Sequence, residues 1–413
     1  MTVNHRGAAR LRSGHPWVYR SDLAGTPEAP AGSLVHVRDE RGRKLGSALY
    51  SSASQIAIRL LTSGELDQPH WLILLLDRIG KAIRFRQAVP GKQVSLGLKP
   101  ARDDNHECRH DAVDAALHTV DTTDSYRVVF SEADLLPGLM VDRYNDVLAM
   151  QVLTQAFDRE DLRQVVIDSL TEHFPGASLV ERVDPHIREL EQLPPRESQL
   201  VVGERSKTVF TLNGVRFHFD GLGGQKTGAF LDQRENYAAA VRHAHGQALD
   251  CFTYQGGFAL HLARVCESVT AVDASRPALE VGEQNEQLNR AHHRCGEIEW
   301  MDGNAFDILK DYEAAGRQYD TIVLDPPAFA KTKRAVPAAL RGYKELNLRA
   351  LKMLRPGGLL VTCSCSFHVG EADFLETLGA AAADANRRVR ILERRGASAD
   401  HPALLNVPET SYL

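Results

Sequence analysis

Tyr319-Asp-Thr-Ile-Val-Leu-Asp325-Pro326-Pro327 is a short apolar run that ends in a carboxylate, and Leu359-Leu-Val-Thr-Cys363-Ser-Cys365-Ser366 is a second run that ends in thiols. One helical segment separates the two runs and stops at Arg355-Pro-Gly357-Gly358. This order of strand, helix and strand is typical of an open parallel sheet. The carboxyl ends of parallel strands meet at one edge, where ligands bind, so we expect both tips to face one planar substrate.

The same alternation begins near residue 206 and continues along the chain. It starts with a hairpin, which the Asn213-Gly214 turn signals. Apolar runs then recur between helical segments, so the sequence predicts a mainly parallel sheet with helices on both faces. The predicted strands are Ala248–Asp250, Val269–Asp273, Ile298–Asp302 and the two runs quoted above.

The chain divides into three predicted domains and is expected to be a multidomain α/β protein. Residues 1–69 predict a small β domain, because short β-rich runs alternate with Gly, Pro and Asp turns. Residues 70–205 predict a helical linker and a central α+β domain, in which residues 185–195 are expected to form a loop. Residues 206–413 form the third predicted domain.

The composition is that of an ordinary globular protein with an uneven charge distribution. Of its 413 residues, 43% are hydrophobic, and the six cysteines show no framework spacing, which favours a reducing, cytoplasmic location. The apolar runs are too short for a membrane span. Residues 1–100 carry 15 Lys/Arg against 7 Asp/Glu although the net charge is −5, which favours either a phosphate-binding front end or a solvated helix face.

Residues 90–124 are polar and contain His106-Glu-Cys108-Arg-His110. Histidine and cysteine are zinc ligands, but this spacing matches no familiar metal motif. A surface loop or short helix is the favoured interpretation, and no metal site is predicted.

Polar tips also follow the first three strands of the predicted sheet. Asp250 precedes a Gly256-Gly257 turn, Asp273 ends the next strand, and Asp302-Gly303-Asn304 ends the third. The glycines do not fit the dinucleotide fingerprint, whereas an acid after the second strand suits a ribose diol. Each feature alone is also typical of a helix cap or a turn. Together they favour a nucleoside without a diphosphate, of which S-adenosylmethionine (SAM) is the commonest.

Cys365 is the candidate nucleophile, and Asp325 is the candidate for binding the polar edge of the substrate ring. A thiolate that adds to carbon 6 of a pyrimidine makes carbon 5 nucleophilic enough to take a methyl group from a sulfonium. The alternative is that Cys363 and Cys365 are small buried hydrophobic residues.

Eight stretches spread over nearly the whole chain resemble bacterial 23S ribosomal RNA cytosine-C5 methyltransferases. These enzymes have a PUA RNA-binding domain, a central α+β domain and a Rossmann-like SAM-binding domain. The matching stretches are 14–19, 132–143, 224–234, 250–257, 325–331, 342–347, 362–366 and 400–402.

The resemblance implies a role for each candidate residue. It places residues 225–234 over SAM and the tips of the first three strands around the methionine, ribose and adenine of SAM. It also places Asp325 beside the target base and the nucleophile at Cys365. It further implies an RNA partner and suggests a homodimer. The implied SAM-binding residues are Gln225, Lys226, Thr227, Phe230, Asp232, Arg234, Asp250, Phe252, Gly256, Asp273, Asp302, Gly303, Asn304 and Asp325.

The chain departs from this pattern in three places. Residues 88–122 exceed the usual length, relatives continue beyond Leu413 into a further apolar strand, and Ala328 stands where some RNA cytosine methyltransferases carry a second cysteine. A sheet edge that is either exposed or paired elsewhere is therefore expected, and the acceptor of the carbon 5 proton is unassigned. Two other functions stay open: methylation of a base nitrogen, such as on guanine, and a non-catalytic RNA-binding or ribosome assembly factor.

Overall fold

The computed structural model describes residues 1–88, 123–223, 229–290 and 296–413. Within them, four sheets follow one another along the chain. The multidomain α/β class predicted from the sequence is confirmed, with a β domain first and a parallel sheet last. None of the described helices combines the length and apolar character needed to cross a bilayer.

The first sheet has five strands in the order β1-β3-β4-β5-β2, and only β1 and β3 pair in parallel. Its third strand alternates buried Val35 and Val37 with exposed His36 and Arg38, so one face packs inward. The elements are β1 (Thr2–Val3), α1 (His5–Arg12), β2 (Trp17–Tyr19), β3 (Leu34–Asp39), β4 (Lys44–Tyr50) and β5 (Ile56–Thr62).

The second sheet has the order β10-β9-β8-β7-β6, with one parallel pair between β8 and β9. Two helices, α2 and α4, cover one face and share a core with it. The elements are α2 (Gln68–Ala88), β6 (Ser125–Phe130), β7 (Leu139–Tyr144), β8 (Val147–Val152), α3 (Gln155–Asp158), α4 (Glu160–His173), β9 (Ser178–Arg182), α5 (Pro185–Leu190) and β10 (Gln199–Val202).

The α5 helix corrects one prediction, since residues 185–195 were expected to form a loop. Asp184 caps this helix by accepting hydrogen bonds from the backbone N–H groups of His186 and Ile187, at 2.9 and 3.2 Å. Pro185 occupies the first turn, where its missing N–H costs nothing. The Asp-Pro pair was therefore the start signal of a short helix.

Two of the basic residues in the α2 region are buried, so they do not serve a phosphate-binding surface. Arg78 donates hydrogen bonds to the carbonyl oxygens of Leu61 and Leu135. Arg86 is fully buried and donates to Asp134 at 2.5 Å and to the Asp400 carbonyl at 3.0 Å. Both guanidinium groups connect α2 to other parts of the fold. Neither interpretation of the basic residues in 1–100 predicted this structural role.

A hairpin precedes the last sheet, which is entirely parallel and has the order β15-β14-β13-β16-β17. In this sheet β15 and β17 form the two edges. The elements are β11 (Lys207–Leu212), β12 (Val215–Asp220), α6 (Arg234–His243), β13 (Gln247–Cys251), α7 (Gly257–Leu262), β14 (Ser268–Asp273), α8 (Arg276–Arg290), β15 (Glu297–Asp302), α9 (Ala305–Ala314), β16 (Tyr319–Leu324), α10 (Val336–Met353), β17 (Leu354–Thr362) and α11 (Glu371–Asp384).

The segment 396–412 contacts all three parts of the molecule. Asp400 accepts from the Arg127 backbone N–H at 2.7 Å and from the Arg234 guanidinium at 2.9 Å. Glu409 lies 3.1 Å from the His15 ring in the first domain. Trp17 adds a direct bond between the first two domains, donating to the Glu132 carboxylate at 3.0 Å. The residues in these contacts include members of stretches 14–19, 132–143 and 400–402, which carry the family resemblance.

Candidate active site

The predicted site residues collect at the carboxyl edge of the parallel sheet. The chain runs from β13 toward β15 on one side, then returns to β16 on the other. Such a reversal leaves a crevice between β13 and β16, where ligands bind in open α/β sheets. The Asp325 N–H donates to the Cys251 carbonyl at 3.4 Å, and the Cys363 N–H donates to the Leu324 carbonyl at 2.9 Å. The residues after β16 and β17 therefore stand side by side next to the end of β13.

Asp250 is fully buried at the end of β13. Its Oδ2 accepts a hydrogen bond from the Thr253 hydroxyl at 2.6 Å, whereas Oδ1 has no partner among the described residues. Burial, which outweighs the bond from Thr253, raises the pKa of Asp250 to about 8, and the charge of Asp325 adds to the effect. A buried acceptor without a donor is costly by itself, so it fits a cationic ligand group such as the ammonium of SAM.

The loop after β13 has an unusual backbone. Phe252, Tyr254 and Gly256 have φ values of 67°, 53° and 87°, a region that costs energy for residues other than glycine. A Cβ at Gly256 would lie 2.6 Å from the Trp300 ring, and one at Gly257 would lie 2.5 Å from the Tyr237 hydroxyl. Neighbouring side chains therefore require both glycines, in addition to any close approach of a ligand.

Asp273 and Asp302 end neighbouring strands and are paired in register. The two carboxylate oxygens of Asp273 accept from the N–H groups of Tyr254 and Ser275, at 2.9 and 2.8 Å. These bonds fix the carboxylate at the crevice and leave further lone pairs for ribose hydroxyls. Asp302 is exposed, and Asn304 caps α9 by accepting from the Phe306 N–H at 2.9 Å.

The segment expected to cover SAM is divided among three environments. Gln225, Lys226 and Thr227 lie outside the described residues. Phe230 lines the crevice together with Tyr254, and the two rings are 5.3 Å apart.

Asp232 and Arg234, the remaining two candidates, face the C-terminal segment instead. The Tyr412 hydroxyl donates to Asp232 at 2.6 Å, and Arg234 is buried against Asp400. These bonds connect Asp232 and Arg234 to segment 396–412. Both side chains therefore stabilise the fold in this region and do not face a nucleoside.

Asp325 is held by a residue that the sequence did not suggest. The side-chain Nε2 of Gln233 donates to both carboxylate oxygens of Asp325, each at 3.0 Å. Cys363 lies beside the same carboxylate, and burial, followed by the charge of Asp325, raises the pKa of its thiol well above the usual range. A thiol with a raised pKa is a poor source of thiolate at neutral pH, which disfavours Cys363 as the nucleophile.

Cys365 stands on the loop after β17, and its Sγ lies 3.5 Å from the Pro326 carbonyl oxygen. A buried hydroxyl cluster clamps this loop to the Asp-Pro-Pro loop. Ser366 Oγ accepts from the N–H groups of Phe329 and Ala330 at 2.9 and 3.1 Å, and it lies 2.9 Å from the Tyr343 hydroxyl. The predicted nucleophile and the predicted ring-binding carboxylate are thereby fixed next to each other.

Gln233 and Tyr343 were missed because their signals in the sequence were weak. Tyr343 lies on the buried stripe of α10 and reads as an ordinary core residue. Gln233 is 92 positions from Asp325, and no short motif joins them. Both belong to stretches that carry the family resemblance, which was the only indication available.

Among the described residues, no group of three or more His, Cys, Asp or Glu side chains is arranged to hold a metal ion. The cluster His106-Glu-Cys108-Arg-His110 lies outside them.

The crevice defines a class of protein. It combines a parallel sheet with a reversed strand order, a buried acidic tip with an unused oxygen, and an aromatic lining that includes Phe230, Phe252 and Tyr254. A nucleoside that carries a cation, but no pyrophosphate, fits these features. The fold and the site are those of a SAM-dependent methyltransferase.

Comparison with known families agrees with this class. The PUA-like domain family matches residues 1–63, and the S-adenosylmethionine-dependent methyltransferase family matches residues 188–405. Proteins named ribosomal RNA large subunit methyltransferase I are similar over nearly the full length. The one from Photobacterium profundum is 34% identical over 98% of this chain and 94% of its own. The one from Tolumonas auensis is 35% identical over 97% of this chain and 94% of its own.

The chain therefore belongs to the S-adenosylmethionine-dependent methyltransferases and, within them, to the family of these ribosomal RNA large subunit methyltransferases. SAM is its cofactor. Two solved structures share the fold: a methyltransferase named SMU.776, complexed with SAH, and a protein from Streptococcus mutans described as a SAM-dependent methyltransferase. Both have a TM-score of 0.73 and cover 100% of this chain and 97% of their own, at 17% and 16% identity.

Proposed function

We propose that this chain methylates carbon 5 of a cytosine in large-subunit ribosomal RNA, through a covalent bond between Cys365 and carbon 6. The observation that carries the proposal is the position of Cys365, whose Sγ lies 3.5 Å from the Pro326 carbonyl oxygen in the loop that starts at Asp325. This distance supports a nucleophile next to the loop whose first residue, Asp325, lines the crevice. The buried oxygen of Asp250 marks where the cofactor's ammonium would lie.

The reaction assigns a task to each side chain. Bound SAM supplies an electrophilic methyl group on a sulfonium. The Cys365 thiolate adds to carbon 6 of cytosine, and the electron pair of the C5–C6 double bond moves to carbon 5, which takes the methyl group. The carbon 5 proton is then released to a solvent base, the double bond re-forms, and the Cys365 sulfur leaves. Asp325 holds the polar edge of the ring through these steps.

The choice of Cys365 over Cys363 follows from their surroundings. Cys363 lies against the Asp325 carboxylate, and the pKa of its thiol is raised by burial and by that charge. Cys365 is two residues further along the loop and faces a neutral carbonyl oxygen. The raised pKa disfavours Cys363, which leaves Cys365 as the candidate nucleophile.

An RNA substrate is supported by the first domain as well as by the relatives' names. Arg12 on α1 and Arg43 after β3 both bind Asp39, at 2.5 and 2.8 Å, so the exposed basic groups of these elements form one surface. Arg41, which is exposed in the same turn as Arg43, extends it. Such a surface positions an RNA through its phosphates, and a base inside a helix must be flipped out before a thiol reaches it. A ribosomal RNA substrate agrees with the cytoplasmic location predicted from the sequence, and the homodimer stays a prediction.

The test combines product analysis with two cysteine variants. The protein is incubated with SAM and 23S ribosomal RNA transcribed in vitro, and the nucleosides are separated by chromatography against methylcytosine and methylguanine standards. The expected product is 5-methylcytosine. Cys365→Ala is expected to lose transfer by at least about 10³-fold with SAM affinity kept within about two-fold, since only the attacking atom is removed.

Cys363→Ala serves as the comparison and is expected to keep transfer within about ten-fold, because a buried neutral thiol supplies no attacking group. Transfer by Cys365→Ala at the normal rate would contradict the covalent step. A methyl group on a base nitrogen would replace the proposed product with the nitrogen alternative. A wild-type protein that binds no SAM in calorimetry would instead support the non-catalytic assembly factor.

A further inference from the structure

Gln233 lies in the segment expected to cover SAM but was not among the predicted site residues, and it is buried against the Asp325 carboxylate. Its single Nε2 donates to Oδ1 and Oδ2 of Asp325, both at 3.0 Å. Both bonds run from one amide nitrogen to the two oxygens of one carboxylate. The carboxylate plane is thereby fixed by a neutral group.

The orientation of this amide is determined by a second amide. The Nδ2 of Asn236 donates to Gln233 Oε1 at 2.7 Å and to the Gly396 carbonyl at 3.1 Å. The Oδ1 of Asn236 accepts from Arg395 Nε at 3.0 Å. A flipped Gln233 would place its oxygen against a carboxylate and its NH2 group against the NH2 group of Asn236, so the donors must face Asp325.

A neutral donor has a different effect from an arginine at the same place. A guanidinium would bind the carboxylate tightly and neutralise its charge, as Arg127 does for Asp142 at 2.7 Å. Gln233 orients the Asp325 oxygens, and as a neutral group it does not itself cancel the negative charge. The carboxylate can then accept a hydrogen bond from the amino group of a cytosine edge.

Resting on the function proposed above, we infer that Gln233 is a positioning residue, which holds Asp325 in the orientation needed to bind the substrate ring without neutralising it. The relay from Arg395 through Asn236 to Gln233 connects this orientation to the C-terminal segment. The inferred role predicts effects on turnover rather than on SAM binding, because the bonds of Gln233 point to Asp325.

The most informative variant is Gln233→Glu, which keeps the size of the side chain and replaces the donor by a carboxyl group. At low pH the two carboxyl groups share one proton, so a hydrogen bond to Asp325 persists. At high pH the proton is lost, and two like charges about 3 Å apart repel each other. Transfer by this variant, divided by that of the wild type, is expected to fall more than ten-fold between pH 6 and pH 9.

Other titratable groups surround Asp325, and the ratio cancels their contributions. Asp250 faces it from β13, Tyr237 from α6, and Cys363 from the loop after β17. All three are present in both proteins. Saturating SAM further suppresses the titration of Asp250, so a pH-dependent ratio reports the introduced carboxyl group.

Two further variants separate positioning from a purely structural role. Gln233→Ala removes the donor without adding charge, and it is expected to lower transfer about 10²-fold at every pH, with SAM affinity unchanged within about three-fold. Gln164→Glu is the matched control, because Gln164 donates to Asp168 at 2.8 Å on the exposed face of α4. Its ratio to the wild type is expected to stay near one across the pH range.

The inference is overturned if the Gln233→Glu ratio is flat with pH or if Gln233→Ala transfers at the wild-type rate. Failure of the proposed function would look different, because the wild type itself would form a product other than 5-methylcytosine while the ratios stayed measurable. If the wild type transferred no methyl group, thermal unfolding would decide. The melting temperature of Gln233→Glu relative to the wild type falls as pH rises if the position faces Asp325, and a constant difference overturns the inference.

Discussion

Asp250 and Asp325 are two carboxyl groups of one crevice that differ in their partners. Asp325 has both oxygens bound by Gln233, whereas Asp250 has one oxygen bound by Thr253 and one with no partner among the described residues. Under the proposed function, Asp325 binds the substrate ring and Asp250 binds the ammonium of SAM. The pKa of about 8 at Asp250 means that the ligand-free protein holds this carboxyl largely neutral at pH 7.

The raised pKa of Asp250 predicts that SAM binding is coupled to proton release. An ammonium at Oδ1 stabilises the charged carboxylate, so binding at pH 7 is expected to release nearly one proton, about 0.9 per SAM. Isothermal titration calorimetry in buffers of different ionisation enthalpy measures this number. Asp250→Asn is expected to release none and to weaken SAM binding by about 1.5–3 kcal/mol, the value of a hydrogen bond to a charged group.

The same residue makes its own contribution to the pH dependence of the ligand-free fold. The unfolded chain binds the Asp250 proton only below about pH 4, whereas the folded chain keeps it up to about pH 8. The stabilising contribution of the neutral carboxyl is therefore full below pH 4 and is lost as pH rises to about 8.

Asp168→Asn, on the exposed face of α4, is the control for the proton-release experiment and is expected to leave proton release unchanged. Equal proton release by Asp250→Asn and the wild type would contradict the assignment.

At the level of elements, the loops after β16 and β17 depend on one helix, α10. Tyr343 of this helix lies 2.9 Å from Ser366 Oγ and accepts from Ser364 Oγ at 3.1 Å. Since Ser366 already accepts two backbone N–H groups, its own hydrogen is free to be donated to the Tyr343 oxygen. The relative position of Cys365 and Asp325 is thus set by hydroxyl groups in the protein interior.

Removing the central hydroxyl tests this arrangement. Ser366→Ala leaves the N–H groups of Phe329 and Ala330 without their acceptor, so the free energy of unfolding is expected to fall by about 1–3 kcal/mol. The loosened loops are expected to lower transfer about 10²-fold. Urea denaturation and steady-state transfer assays measure the two effects. Ser13→Ala, which removes an exposed bond to the Arg10 carbonyl, is the control, and equal behaviour of the two variants would contradict the clamp.

The strands and their tips could be predicted from the sequence because buried parallel strands leave continuous apolar runs. Asp250, Asp273, Asp302 and Asp325 all follow such runs, and the structure brings them to one edge. The α5 helix was missed because its start signal, Asp184-Pro185, is also typical of a turn.

What could not be predicted depends on contacts between distant parts of the chain. Arg86 is a basic residue on a helix and reads as solvated, but the fold places Asp134 and the Asp400 carbonyl against it. Arg234 was assigned to the cofactor and is bound by Asp400, 166 positions away. No local pattern reports such partners, since the partner is chosen by the packing of whole domains.

At the scale of the whole molecule, Asp400 joins the central domain to the domain of the parallel sheet. It is buried, it binds Arg127 and Arg234, and its own carbonyl accepts from Arg86. Burial raises the pKa of Asp400, but the His401 ring, 3.5 Å away, and the charge of Arg234 outweigh burial and lower this pKa to about 2. Its stabilising contribution is present above about pH 4 and is lost as pH falls toward 2.

Asp400→Ala is therefore expected to be strongly destabilising. It leaves the buried guanidinium of Arg234 without its main partner, which costs about 3–5 kcal/mol in comparable buried pairs. Urea denaturation of the full chain at pH 7 measures the loss, and the difference from the wild type is expected to shrink below pH 4. Asp168→Ala, an exposed aspartate, is expected to change stability by less than about 0.5 kcal/mol. If Asp400→Ala lowered the free energy of unfolding by less than about 0.5 kcal/mol, the proposed structural role of Asp400 would be contradicted.

The most direct test of the proposed function is to trap the bond between Cys365 and the base. In 23S ribosomal RNA transcribed with 5-fluorocytidine, the fluorine at carbon 5 cannot leave as a proton does, so the sulfur stays attached after methyl transfer. With SAM present, the wild type and Cys363→Ala are expected to form a protein–RNA adduct that survives denaturing electrophoresis, and peptide mass analysis is expected to place it on Cys365. No adduct in the wild type, or an adduct that persists in Cys365→Ala, would contradict the mechanism.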